Sequence, residues 1–330
     1  MYTTDKLGLY KKTTARQPDV ENGLFDEGSS VQDHRRRLSR LDGKALLVRS
    51  AAKINLTLSA GPLRSDGYHG FESLMATITL YDDLLIRPGN RRIHLTCDEP
   101  TVPVGPDNLV YRACSLLAGH CDLDAGVEIE LIKRIPAQAG LGGGSSDAAA
   151  ALIGLNELWD LGKSREELTR LAGMLGSDVG FFLAGPLAIC TGRGEVVEPV
   201  EGLEWEFWGV VVKPKVSLST ASVYREFRDS DGHAFGGARE LAEKLATCRP
   251  SQIAPYLHND LEAPARRLCG GLGELQTGLE GLLSAKVLLS GSGSAMYCLF
   301  DTLDQARSAL HRIRSFDREL TCWLVKNNAW

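Results

Sequence analysis

Between Val127 and Lys133 apolar and polar residues alternate, with Val127, Ile129 and Leu131 on one side and Glu128, Glu130 and Lys133 on the other. A period of two is the mark of a half-buried strand. Further strands are predicted over Ala45 to Leu58, Met75 to Leu80, Trp208 to Lys213, which Pro214 closes, and Val287 to Leu289. Helical spacing appears over Asn108 to Leu117 and Ser146 to Leu158. Ser164-Arg165-Glu166-Glu167 has the form of a capping box, and Leu168, Leu171, Ala172 and Leu175 then share one face of a helix predicted to stop at Gly176. Asp229 to Gly237 reads as a polar loop. The first 45 residues lack such periodicity: they mix both charges and carry Pro18, Gly23, Gly28 and Ser29-Ser30, which predicts a loose extension over 1–45. No internal repeat interrupts the remainder.

The strand at Val127 runs into Pro136-Ala137-Gln138-Ala139-Gly140-Leu141-Gly142-Gly143-Gly144-Ser145-Ser146, and an alanine-rich run follows from Asp147 to Leu158. Strand, glycine loop and helix in that order form an anion cradle. Residues without side chains let backbone N–H groups close on a bound group, and a helix predicted to start near Ser145 or Ser146 adds the positive end of its dipole. Phosphate is the anion that best fits. Gly144 is followed by Ser145, not by lysine, so this is no Walker loop, and G-x-G-x-x-G spacing fails at its last position from either Gly140 or Gly142.

Composition narrows the class. The chain has 330 residues, 43% of them hydrophobic, enough for two domains with real cores. A net charge of −5 gives no support for a nucleic-acid partner, and Arg35-Arg36-Arg37 is too short a basic run to change that. Eight cysteines lie between Cys97 and Cys322 with no C-x-x-C pair, which fits reduced thiols in a cytoplasmic protein and implies no cysteine metal site. No apolar leader and no stretch near 18 apolar residues is present, so neither secretion nor a membrane span is expected. Asp5, Asp19, Glu21, Asp26, Glu27 and Asp33 argue against a transit peptide, which is acid-poor.

The loop from Pro136 to Ser146 resembles the nucleotide loop of the GHMP kinases, small-molecule kinases that bind ATP without a Walker motif. Ala51-Ala52-Lys53-Ile54-Asn55-Leu56 and Leu289-Ser290-Gly291-Ser292-Gly293-Ser294-Ala295 resemble the family's other two signatures, in the expected order. Within the family, Arg64-Ser65-Asp66-Gly67-Tyr68-His69, Leu175-Gly176-Ser177-Asp178-Val179 and Gly192-Arg193-Gly194-Glu195 are most like members whose acceptor alcohol carries a cytidylyl group. The resemblance runs from about Leu46 to about Phe300. It implies an α+β fold in two domains, ribosomal-protein-S5-like over 46–195 and ferredoxin-like over 196–330, with ATP and a small-molecule substrate in the cleft between.

The same resemblance implies roles. The residues from Pro136 to Ser146 would bind ATP, with the Ser146 hydroxyl on Mg²⁺ or a phosphate oxygen. Lys53 would place positive charge on the transferred group, and Asp178 would orient the acceptor hydroxyl or take its proton. Asn55, two residues from Lys53 on one strand face, would hold the acceptor. Tyr68 and Tyr224 would stack on a cytosine whose edge His69 reads. Gly180 departs from the family, which usually has proline there, and that puts in question how rigidly Asp178 is held. Two other readings stay open: a GHMP kinase for a sugar, homoserine or mevalonate-like alcohol, and a catalytically silent sensor of ATP and ligand.

Overall fold

The computed structural model describes residues 2–4, 10–12, 38–41, 45–65 and 67–327. Most of the expected extension over 1–45, and Asp66, lie outside them. Within residues 1–35, strands β1 (Tyr2–Thr4) and β2 (Tyr10–Lys12) pair antiparallel. The chain from Arg36 onward forms a separate compact unit, described by itself below. It opens with β3 (Leu38–Arg40), which pairs antiparallel with β4 (Leu46–Asn55), so a strand of the main sheet falls inside the stretch expected to be loose.

The main sheet is organised by one long strand. After β5 (Thr57–Leu63) comes β6 (His69–Gly89), whose first part pairs with β5 and β9 (Leu187–Gly192) and whose later part pairs with β4 and β8 (Gly126–Ile132). The sequence shows only Met75 to Leu80 of β6 as a strand. The rest escapes because both ends carry polar or aromatic residues that neighbouring strands, not local pattern, hold extended. β7 (Ile93–Cys97) adds to β8 in parallel, and β10 (Val196–Pro199) adds to β9. Val127, Ile129 and Leu131 are buried and Glu128 is exposed, as alternation requires.

Helices α1 (Leu109–His120), α2 (Gly143–Leu158), α3 (Arg165–Ala172) and α4 (Phe181–Ala184) pack with this sheet around a core that includes Val48, Leu84, Ile129, Ala148 to Leu152 and Phe182. The α3 capping box forms as expected between Ser164 and Glu167. Two boundaries differ from expectation. α3 ends at Ala172 with Gly173 as its cap, so Leu175 is buried from the turn that follows rather than from the helix. α2 starts at Gly143, because Gly142 takes the left-handed φ of 71° that caps it and the next two glycines wind into the first turn.

The second half begins with β11 (Trp208–Lys213), followed by α5 (Thr220–Glu226), α6 (Gly237–Leu245), β12 (His258–Asn259), α7 (Glu262–Leu268), α8 (Gly270–Leu283), β13 (Leu288–Leu289), β14 (Met296–Phe300), α9 (Leu303–Phe316) and β15 (Thr321–Lys326). Strands β13, β14, β11 and β15 form an antiparallel sheet in that order. β12 returns to the main sheet beside β5. A second core joins Ile54, Leu56, Leu74 and Ile78 of the first half to Phe207, Val211, Leu241 and Tyr297 of the second. The halves thus share apolar burial, and the candidate residues of the sequence lie near this seam.

Candidate active site

The glycine loop is fastened from behind by buried charge. The Asp82 carboxylate on β6 accepts backbone N–H bonds from Arg134 and Ile135 and the ammonium of Lys133. Lys133 also donates to Asp147 Oδ2 at 2.7 Å, and Asp147 Oδ1 accepts from Ser50 Oγ on β4 at 2.6 Å. Both ends of the loop are therefore tied to two strands. Burial raises the Asp82 carboxyl to about 7, Asp147 pushes the same way and Lys133 opposes it. Burial also works against the Lys133 charge, but Asp147 and Asp82 outweigh it and hold its pKa above the ordinary lysine value. Asp147 lies past the first turn of α2, and its partners, Lys133 just after β8 and Ser50 on β4, are brought to it by the fold.

The front of the loop is set by close backbone approach. Gly140, with φ of 77°, lies so near the second glycine turn that a Cβ there would stand 1.9 Å from the Ser290 carbonyl oxygen. Ser290 Oγ donates to Gly140 O at 2.9 Å, and Ala295 N–H donates to Ala139 O at 3.1 Å. Leu141 O accepts from Lys53 N–H at 2.9 Å. All three signature segments are thus in direct contact. The first-turn N–H groups of α2 have no partner within a helix, which makes this turn a seat for an anion. Pro136, Ala137 and Gln138 lead in at the surface, whereas Ala139 and Leu141 are buried. Ser146 is buried inside α2, where its amide gives the helix's bond to Gly142 O, so it is not the cap. Its Oγ is the buried side-chain polar atom that finds no hydrogen-bond partner among the described residues.

Lys53 lies at 4% exposure on β4, with Nζ 2.5 Å from Asn55 Oδ1 and 3.9 Å from Asp178 Oδ2. Burial depresses its pKa, and the Asp178 charge opposes the depression. Asn55 shares the face of Lys53 as expected, and its Nδ2 donates to Ser73 Oγ at 2.8 Å. Both ends of that amide are engaged, which aims Lys53. The Asp178 side chain is one-third exposed and sits in the turn before α4, not in a helical first turn. Gly180 has φ of −60°, the value proline imposes, so the backbone beside Asp178 keeps its shape. The turn Gly192 to Glu195 lies alongside: a Cβ on Gly194 would stand 3.7 Å from Asp178 Oδ1.

The structure brings two of the three aromatic candidates together. The rings of His69 and Tyr224 stack with centroids 5.7 Å apart, and Phe227 meets His69 edge-on at 5.1 Å. Burial raises the Tyr224 pKa, with the charges of Asp178 and then Asp260 adding to it. His69 Nδ1 is 2.9 Å from Gly61 O and must donate there. Tyr68 stands apart at 54% exposure, with the Arg193 guanidinium 5.0 Å over its ring. Sequence reading passed over Phe227 and Arg193; the motif around Arg193 was visible, but its approach to Tyr68 depends on how two hairpins fold against each other.

The fold and loop define a GHMP kinase: residues 108–186 match the GHMP kinases N terminal domain. A 4-diphosphocytidyl-2-C-methyl-D-erythritol kinase from a Synechococcus strain is 38% identical over 86% of this chain and 94% of its own, and one from Nocardia farcinica is 41% identical over 79% and 87%. A crystal structure of 4-(cytidine 5'-diphospho)-2C-methyl-D-erythritol kinase superposes with a TM-score of 0.73 at 36% identity, covering 86% of this chain and all of that one. Homoserine kinase from Cytophaga hutchinsonii, at 17% identity and a TM-score of 0.70, shares the fold. The chain belongs to the 4-diphosphocytidyl-2-C-methyl-D-erythritol kinase family. No helix among the described residues is long and apolar enough to cross a membrane.

Proposed function

We infer that the protein transfers the terminal phosphoryl group of ATP to the 2-hydroxyl of 4-diphosphocytidyl-2-C-methyl-D-erythritol, a step of the non-mevalonate route to isoprenoid precursors. The observation that carries the chemistry is the approach of Lys53 Nζ to Asp178 Oδ2, at 3.9 Å, beside the glycine loop. Phosphoryl transfer has a loose transition state and asks mainly for alignment and positive charge. The loop amides hold the phosphates, and Lys53 neutralises charge on the transferred group. Asp178 takes the hydroxyl proton as the acceptor oxygen bonds to phosphorus and the bond to ADP breaks. The unpartnered Ser146 hydroxyl fits a Mg²⁺ ion or a phosphate oxygen; such an ion, when bound, offsets charge on the phosphate oxygens.

The acceptor side supports a cytidylyl group. His69 and Tyr224 offer stacking surfaces, and Tyr68 offers an exposed one at the rim. With Nδ1 donating to Gly61, neutral His69 keeps Nε2 as an acceptor, which suits the amino edge of cytosine. Arg193, in the turn beside Asp178, extends its guanidinium over the Tyr68 ring, a placement suited to a diphosphate joining base and alcohol. The residues 46–195 and 196–330 serve as the two lobes of the site. An ATP-consumption assay over a panel of alcohols tests this. Turnover with the cytidylyl substrate, and little with 2-C-methyl-D-erythritol 4-phosphate, homoserine, mevalonate or sugars, is expected. Equal turnover of the truncated and full substrates would leave a GHMP kinase for another alcohol.

A further inference from the structure

One group of ionisable side chains has no part in this chemistry. His233, in the loop before α6, meets His258 and Asp260, on and just after β12; among the described residues they are the one set of His, Cys, Asp or Glu whose ligand atoms all lie within 4.8 Å of one another. Asp260 is buried. Its Oδ2 accepts backbone N–H bonds from Ala60 at 2.8 Å and His233 at 2.9 Å, and its Oδ1 is in hydrogen-bond contact with His233 Nδ1. The His233 and His258 rings lie 4.7 Å apart; His258 Nε2 is anchored by Ser59 Oγ at 2.8 Å, and its Nδ1 stands 3.3 Å from the Tyr256 carbonyl, a long contact that an ion at Nδ1 would replace. These are features of a monodentate site. The carboxylate is oriented through the oxygen that does not bind, and an imidazole is anchored through its second nitrogen. Two imidazoles and one carboxylate suit a first-row transition ion, whereas Mg²⁺ and Ca²⁺ favour oxygen alone.

We propose that His233, His258 and Asp260 bind one divalent transition-metal ion, with Zn²⁺ the best match, the ion replacing the proton between His233 Nδ1 and Asp260 Oδ1. Each imidazole binds as a neutral ring with its one proton on the nitrogen that does not face the ion, and water completes the coordination. The site ties the loop before α6 to β12, which pairs with β5 and is followed by the Asp260 carboxylate that accepts from Ala60 N–H of that strand. Phe235, two residues beyond His233, already packs on the hairpin of β5 and β6: a Cβ on Gly61 would stand 3.0 Å from its Cζ. Metal binding therefore stiffens the side of the site that carries His69.

The test is titration of the full, chelator-treated chain with Co²⁺, followed by displacement with Zn²⁺. One Co²⁺ per chain is expected, with d–d absorption of a nitrogen- and oxygen-ligated ion, and Zn²⁺ should raise the Tm. His233→Asn carries the decision, because His233 is exposed on a loop and the variant keeps the fold; loss of a ligand should weaken affinity at least tenfold, the low end of what outer-shell losses cost, roughly 10–100-fold. His258→Gln should do the same. Absence of saturable one-to-one binding, a change below tenfold in His233→Asn, or a thiolate-to-cobalt charge-transfer band pointing to cysteine would overturn the proposal.

Discussion

At the glycine loop, the groups that would meet a phosphate are backbone amides fixed from behind by Asp82, Lys133, Asp147 and Ser50 and from the front by Ser290 and Ala295. At the hairpin of Tyr68 and His69, the groups that would meet the acceptor are side chains, partly exposed, held by ring contacts and one hydrogen bond to Gly61. A phosphate is the same in every nucleotide, so its seat can be built rigidly into the core. An acceptor differs from one kinase to the next, and a rim of side chains can change without disturbing that core.

The comparison breaks if changes at the two ends produce the same phenotype. The largest effect is expected between them, at the reacting pair. Asp178→Asn fills the same space without accepting a proton, so kcat should fall roughly 10²–10⁴-fold while ATP binding persists. Lys53→Ala should lose a comparable factor, and near wild-type kcat in either variant would remove the pair from the mechanism. Next comes the loop's support. Lys133→Met leaves two buried carboxylates without their cation, a loss of about 3–5 kcal/mol of stability, which urea denaturation would measure alongside a raised KM for ATP.

At the acceptor end, Tyr68→Ala and His69→Ala should each lower kcat/KM for the cytidylyl substrate roughly tenfold to a hundredfold, the value of one stack or hydrogen bond, while KM for ATP hardly changes. A change in KM for ATP of similar size would mean that the two ends are not independent. A pH profile sharpens the middle. Burial lowers the Lys53 pKa, so its charge is lost as pH rises through a value below that of an ordinary lysine, and activity should fall there. Lys53→Arg stays charged and should shift that alkaline limb upward even if its kcat is reduced. The smallest effect belongs to Gly180→Ala. The site has φ of −60° and ordinary contact distances of 3.6 Å to Val197 and 3.7 Å to Thr169. A gain of about 0.4–1 kcal/mol should raise the Tm by a few degrees with kcat unchanged.

Much of this site could be read from the chain. Alternation at Val127 to Leu131, the capping box at Ser164 and the glycine run are local matters, because a strand face, a helix cap and a left-handed turn depend on residues a few positions apart. The resemblance added Lys53 and Asp178 as a pair. Tertiary structure decided the rest. The pairing of β3 with β4 and the length of β6 depend on neighbours that hold a weak local pattern in place. Lys133 found Asp82 within the first half and His233 reached Asp260 within the second, through strands and loops distant in sequence; Gly140 met Ser290 and His69 stacked on Tyr224 because the two halves close around a shared core. Periodicity states which face of an element is buried; it carries no record of which distant segment covers that face, and burial and contact with those segments set the charges and hydrogen bonds of the site.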